Sequence, residues 1–224
     1  VLDMKKRCLI IAGGEWNPSF ASSYIQDKYN GKRPELIITA DKGLERIAGL
    51  QMLPDIMLGD YDSISPEVLA DYEKQKGILN LKFPPEKDYT DSHLAIETAI
   101  EHGATELCVM GATGTRLDHV LANMGLLKLC LEQHVQAELV DAHNRIRMID
   151  RELTIRREEL FGTYISLMPY TERVEGITLT GFQYPLENGV FTLGISRGVS
   201  NELAEEQGVI RIQSGLLFVI ESRD

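Results

Sequence analysis

Between Arg7 and Val140 short apolar runs alternate with helical stretches, and that alternation leaves few folds open. Residues 7–12, 36–40, 55–58, 78–83, 106–110 and 137–140 are too short and too evenly apolar for amphipathic helices, and read as buried strands. The segments between them carry helix patterns. One spans residues 19–29 and closes at Asn30-Gly31, a short one runs from Asp41-Lys42-Gly43 to Gly49, and a third covers residues 67–76 behind Ser65-Pro66. A fourth opens at Asp88-Tyr89-Thr90-Asp91, where Asp88 is the expected cap, and ends at His102-Gly103. A fifth runs to about Gln133, with Leu117, Val120, Leu121, Met124, Leu127 and Leu131 expected on its inner stripe. Strands alternating with helices in this way predict a parallel sheet covered by helices on both faces, a three-layer α/β domain.

Within residues 142–146 the rhythm changes. Short strands then follow one another at residues 146–149, 153–155, 164–167, 177–179, 190–193, 209–212 and 216–220, separated by Gly, Asn or charged turns. No convincing helix lies among them, which is the pattern of an all-β sandwich or barrel. The expected organisation is an α/β domain over residues 1–143 and an all-β domain over 144–224. Val1-Leu2-Asp3 ahead of Met4 reads as an expression remnant with no part in the fold.

Acidic residues gather where such a sheet would place a ligand. Asp41, Asp60, Asp62, Asp88, Asp91 and Asp118 fall just after expected strands or at the helix starts that follow. In a parallel sheet these positions share the carboxyl rim, where open α/β folds bind ligands. Asp60 and Asp62, two residues apart, repel each other by about 1 kcal/mol or more even at water-like screening. A divalent ion bound to phosphate oxygens would neutralise them. Residues 111–116 match neither a phosphate-binding P-loop nor a dinucleotide fingerprint. A helix starting near Asp118 could still turn backbone N–H groups toward a phosphate, with Arg116 as a bidentate clamp and Lys87 as a second cation. His119 could orient a neighbour, and the five histidines show no metal-ligand spacing.

The balance of 34 acidic against 23 basic residues, a formal charge of -11, argues against nucleic acid or an anionic membrane surface as partner. It also makes a phosphate substrate awkward without a bound cation. No apolar run reaches the length of a membrane span, and Cys8, Cys108 and Cys130 read as reduced core residues of a cytoplasmic protein.

The motifs in series resemble those of the thiamine pyrophosphokinase family. That family carries Asp-Gly-Gly, Gly-Asp-x-Asp-Ser, Lys-Asp-x-Thr-Asp and Gly-Gly-Arg-x-Asp-His elements, the last followed by an Asn. This chain has Asp41-Lys42-Gly43, Gly59-Asp60-Tyr61-Asp62-Ser63, Lys87-Asp88-Tyr89-Thr90-Asp91 and Gly114-Thr115-Arg116-Leu117-Asp118-His119, then Asn123. In the β half, Gly181-Phe182-Gln183-Tyr184-Pro185-Leu186 and Ser200-Asn201 stand for a Gly-x-x-Trp-x-Leu turn and a Ser-Asn pair. Lys42 and Thr115 replace family glycines, and Tyr184 replaces the tryptophan.

The resemblance implies Mg²⁺-dependent transfer of pyrophosphate from ATP to the hydroxyl of thiamine, giving thiamine diphosphate and AMP. It implies a homodimer with the active site at the subunit interface. Asp60, Asp62, Asp91 and Asp118 are then the catalytic residues and metal ligands, with Asp41 and Asp88 nearby. Lys87 and Arg116 contact phosphate oxygens, His119 is a further substrate-binding candidate, and Asn123 supports them. Tyr184, Ser200 and Asn201 meet thiamine. Two other readings of the residues stay open: Asp60-Tyr61-Asp62 as the Asp-x-Asp of a nucleotide-sugar glycosyltransferase, or a module that senses nucleotide or thiamine without turnover.

Overall fold

A computed structural model describes residues 5–84 and 88–224. The chain divides into two compact units, between Ala142 and His143. In the first, strands β1 (Arg7–Ile11), β2 (Leu36–Ala40), β3 (Ile56–Gly59), β4 (Leu79–Lys82), β5 (Glu106–Met110) and β6 (Gln136–Val140) alternate with helices. These are α1 (Pro18–Lys28), α2 (Gly43–Gly49), α3 (Pro66–Glu73), α4 (Asp91–Glu101) and α5 (Leu117–Glu132).

The strands lie in the order β4-β3-β2-β1-β5-β6, each pair parallel. The chain therefore steps outward from β1 to β4, then returns to place β5 on the other side of β1. That reversal opens a crevice between the carboxyl ends of β1 and β5. Cys8, Leu9, Ile10 and Ile11 are wholly buried, as expected of a strand flanked on both edges and covered on both faces. All three cysteines are buried and free.

Local chemistry sets the helix starts. Asn17 Oδ1 accepts from Phe20 N at 3.0 Å ahead of Pro18, and Ser65 Oγ accepts from Val68 N ahead of Pro66. Two expectations are corrected here. The cap of α4 is Thr90, whose hydroxyl accepts from His93 N at 3.3 Å; Asp88 lies two residues too early to reach that orphan N–H. In α5 the buried face runs through Asn123, Leu127 and Cys130, while Leu117 and Leu121 are 70% and 67% exposed. Asn123 turns inward to donate from Nδ2 to Ala112 O at 2.7 Å, and of the expected stripe Leu127 is buried, Val120, Met124 and Leu131 are half-buried, and only Leu117 and Leu121 face solvent.

The second unit is a sandwich of two antiparallel sheets. Its strands are β7 (Asn144–Ile149), β8 (Glu152–Arg156), β9 (Tyr164–Pro169), β10 (Arg173–Thr180), β11 (Leu186–Thr192), β12 (Gln207–Arg211) and β13 (Leu217–Ser222). One sheet runs β7-β13-β9 and the other β11-β10-β12-β8. Ile165, Leu167, Leu217 and Val219 of the first face Ile155, Val174, Ile177, Phe191 and Ile210 of the second in one core. Among the described residues the only helical turn here is the short 3₁₀ segment Arg157–Glu159.

Candidate active site

A cleft of about 770 Å³ opens at the carboxyl ends of the strands, between residues 12–15 after β1 and residues 111–116 after β5. Asp41, Lys42, Ser63, Thr90, Asp91, Ser92, His119 and Asn123 complete its walls. The two loops at the crevice are strapped together, Gly14 N to Gly111 O and Glu15 N to Thr113 O, both at 2.7 Å. Gly14 has to be glycine for this, because a Cβ there would stand 2.2 Å from Thr113 O.

Asp41, directly after β2, is left-handed (φ 47°), and Tyr61, in the loop after β3, has φ 63°. Left-handed backbone at two non-glycine residues beside one cleft is the kind of local strain that functional sites hold. Tyr61 is buried and donates to Asn80 Oδ1 at 2.9 Å, pinning the middle of its loop. Burial pushes the Tyr61 phenol well above its ordinary pKa, and the negative charges of Asp41, Glu73 and Asp91 push it further. Asp41 and Asp91, which are 50 residues apart, both line the cleft.

The other carboxylates are placed differently. Asp60 and Asp62 sit in the loop that reaches the cleft at Ser63, with Asp60 Oδ1 accepting from Asp62 N at 3.1 Å. Asp118 is engaged by Arg116 through Oδ2–Nη2 at 2.7 Å and Oδ1–Nε at 3.3 Å, and that guanidinium holds its carboxyl below the usual range. Among the described residues no three acidic, His or Cys side chains are gathered tightly enough to hold a metal. Of the expected carboxylates, Asp91 lines the cleft, Asp60 and Asp62 lie in the loop that reaches it at Ser63, and Asp118 follows the cleft residue Arg116 by two positions. Asp118 is paired with the Arg116 guanidinium. The donor set of Asp41, Asp60, Asp62 and Asp91 nevertheless suits a hard cation, being all oxygen and borne on the adjacent strands β2 and β3 and on α4, which packs against both.

Of the other expected substrate-binding residues of this unit, Arg116, His119 and Asn123 all line the cleft. Asp88 is exposed, and Lys87 lies outside the described residues. Lys42, which stands in place of a glycine, has an ordinary helical backbone (φ −54°) and puts a cation on the cleft wall. From sequence Lys42 was read only as a departure from a family glycine and Ser63 only as part of a motif, while Glu15, Ser92 and Thr113 carried no reading as site residues. The signal available for Lys42 was its place directly after Asp41.

In the second unit Tyr184 is 62% exposed and Asn201 is 7% exposed. Asn201 Oδ1 accepts from Tyr184 N at 3.0 Å, and its Nδ2 donates to Tyr184 O at 2.9 Å. Asn201 thus sets the backbone from which the Tyr184 ring projects. Ser200 is exposed and left-handed (φ 60°), with its N–H donating to Ser166 Oγ at 3.0 Å. A separate hollow of about 500 Å³, walled by residues after α1 and α2 such as Lys32 and Leu53, includes no carboxylate residue.

A doubly wound α/β unit with an acid- and cation-lined crevice at its strand reversal, joined to a β-sandwich, defines a class of two-unit protein with its candidate site at the switch point of the parallel sheet. Comparison with known proteins specifies the family. Residues 29–139 match the thiamin pyrophosphokinase catalytic domain, and residues 151–217 match the thiamin pyrophosphokinase vitamin B1 binding domain. Thiamine pyrophosphokinase of Bacillus subtilis (strain 168) is 34% identical over 96% of this chain and 98% of its own length. A crystal structure of the Bacillus subtilis enzyme superposes with a TM-score of 0.86, at 33% identity over 98% of this chain and all of that one. The enzyme from Geobacillus thermodenitrificans gives 0.82, at 29% identity over 97% and 98% of the two chains. This chain belongs to the thiamin pyrophosphokinase family.

Proposed function

We propose that this chain transfers pyrophosphate from ATP to the hydroxyethyl oxygen of thiamine, with Mg²⁺ as cofactor, yielding thiamine diphosphate and AMP. The observation that carries the reading is the meeting of Asp41 and Asp91 with Lys42 and Arg116 in one cleft at the β1–β5 reversal. Carboxylates and cations lining the same cavity suit a polyphosphate bound together with a metal ion. Family membership over both halves supplies the substrates.

The thiamine oxygen bonds to the β-phosphorus as the bond from that phosphorus to the oxygen bridging the α-phosphate breaks. AMP leaves, and the hydroxyl gives up its proton. Catalysis of such a displacement is positioning and charge neutralisation. Asp60, Asp62 and Asp91, with Asp41 beside them, would hold Mg²⁺, which when bound neutralises the transferred group. Arg116, oriented by Asp118, clamps phosphate oxygens as a planar fork. Lys42 adds a second positive charge, and Asn123 fixes the loop at Ala112 from below. His119 borders the same phosphates. Tyr184 packs on thiamine, held in place by Asn201, and Ser200 hydrogen-bonds the pyrimidine. The working unit is a homodimer in the cytoplasm, a compartment that suits three free cysteines.

The test is product identity. With ATP, Mg²⁺ and thiamine the expected nucleotide product is AMP, and chelation with EDTA stops its formation. ADP in place of AMP, or no turnover, overturns the reading. A fully active monomer whose mass is independent of concentration removes the dimer.

A further inference from the structure

The loop at residues 59–65 carries Asp60 and Asp62, and its two ends are held by one short stretch of chain. At the near end, Asp41 N donates to Leu58 O at 3.0 Å and the Asp41 carboxylate lies against Gly59. At the far end, Ser65 caps α3 and its own N–H needs an acceptor. In a capping box the residue three positions on, a Glu or Gln, reaches back to supply it. Here that residue is Val68, which cannot. Glu45 of α2 supplies it instead, its Oε1 accepting from Ser65 N at 2.8 Å. Asp41 and Glu45 are four residues apart, so the start of α2 grips both ends of the loop.

We propose that Glu45 is a positioning residue for the metal site, holding Asp60 and Asp62 in register with Asp41 without touching metal or substrate itself. The inference rests on the metal assignment of the proposed function and extends it to a residue outside the cleft lining. Groups that orient metal ligands from behind commonly matter 10–100-fold in ion affinity.

The measurement is Mn²⁺ affinity by electron paramagnetic resonance, with α,β-methylene-ATP present so that no turnover enters the readout. Glu45→Ala is expected to weaken Mn²⁺ binding on the order of 10–100-fold. Glu45→Gln, whose amide oxygen still accepts from Ser65 N, is expected to bind as wild type. The emission of Trp16, the single tryptophan, reports the loop after β1 that Arg46 of α2 reaches at Gly14 O, and should stay unchanged if α2 itself is intact. Wild-type affinity in folded Glu45→Ala, or an equal loss in Glu45→Gln, overturns the proposal. Should Glu45→Ala fail to fold, Ser65→Pro deletes the donor at a backbone already at φ −64°, with Ser65→Ala as the control for the lost cap. Wild-type affinity in Ser65→Pro then overturns it equally. A wild type that binds Mn²⁺ and nucleotide yet makes no AMP sinks the proposed reaction alone.

Discussion

Gly59 and Asp41 meet where β3 and β2 end: a Cβ on Gly59 would stand 2.2 Å from Asp41 Oδ1. Gly59 also has φ 143°, a backbone that side chains rarely adopt. Gly59→Ala should therefore cost about 1–3 kcal/mol of stability from backbone strain. It should also displace the Asp41 carboxylate, so that AMP formation falls further than the melting temperature alone explains. Thermal unfolding and initial rates on the same preparation check both.

Asp62→Asn and Asp91→Asn remove charge at exposed or half-exposed positions, so folding should survive. Turnover should drop at least about a hundredfold, as it does when a group that stabilises developing charge is lost. Unchanged melting curves beside lost AMP production are the expected pair of results. Wild-type rates at saturating Mg²⁺ would contradict the metal assignment.

The Arg116–Asp118 pair is exposed, and surface pairs do little for stability. Its consequence lies in aiming the guanidinium. Asp118→Asn keeps the shape and loses the charge-assisted fork, so the KM for ATP should rise on the order of tenfold with the fold intact. Steady-state kinetics at fixed thiamine measures this.

Tyr184→Ala should raise the KM for thiamine about tenfold, the scale of a partly desolvated cation–π contact with the thiazolium ring. Tyr184→Trp should lower it, because a larger ring stacks better. Asn201→Ala should mimic Tyr184→Ala, since both ends of its amide hold Tyr184's backbone. Equal thiamine KM values in all three would remove the β unit from the substrate site.

Glu221 is wholly buried in β13, where it accepts from Arg145 at 2.7 and 2.9 Å, from Arg147, and from Phe161 N at 3.1 Å. Glu221→Ala leaves two guanidinium groups facing an empty place. Breaking a buried pair in this way costs about 3–5 kcal/mol. The urea midpoint of unfolding should fall accordingly, with the slope unchanged.

The strand rhythm, the sites of the helix starts and the procession of acids after strands were legible in the chain, because each depends on neighbours a few residues away. Thr90 displaced Asp88 as a cap by a matter of two positions, which only the register of the first helical turn decides. Leu117 and Leu121 read as core because period counting treats Asn as a surface residue, and here one amide bond to Ala112 outweighs that habit. The bond between the Asn201 side chain and the Tyr184 backbone, 17 residues away, follows no local pattern and was not legible in the chain.

The amino-acid order alone determined two folded units of different class and a set of aspartates able to share one rim, since side-chain periodicity and turn chemistry are local. Tertiary structure decided the rest. Placing β5 beside β1 put the crevice between them, and packing α2 against the loop after β3 brought Glu45 to Ser65. It also brought Asp41 and Asp91, 50 residues apart, to one cleft. Such pairings depend on which strands lie side by side, and strand order is a property of the whole sheet that no short window of sequence contains.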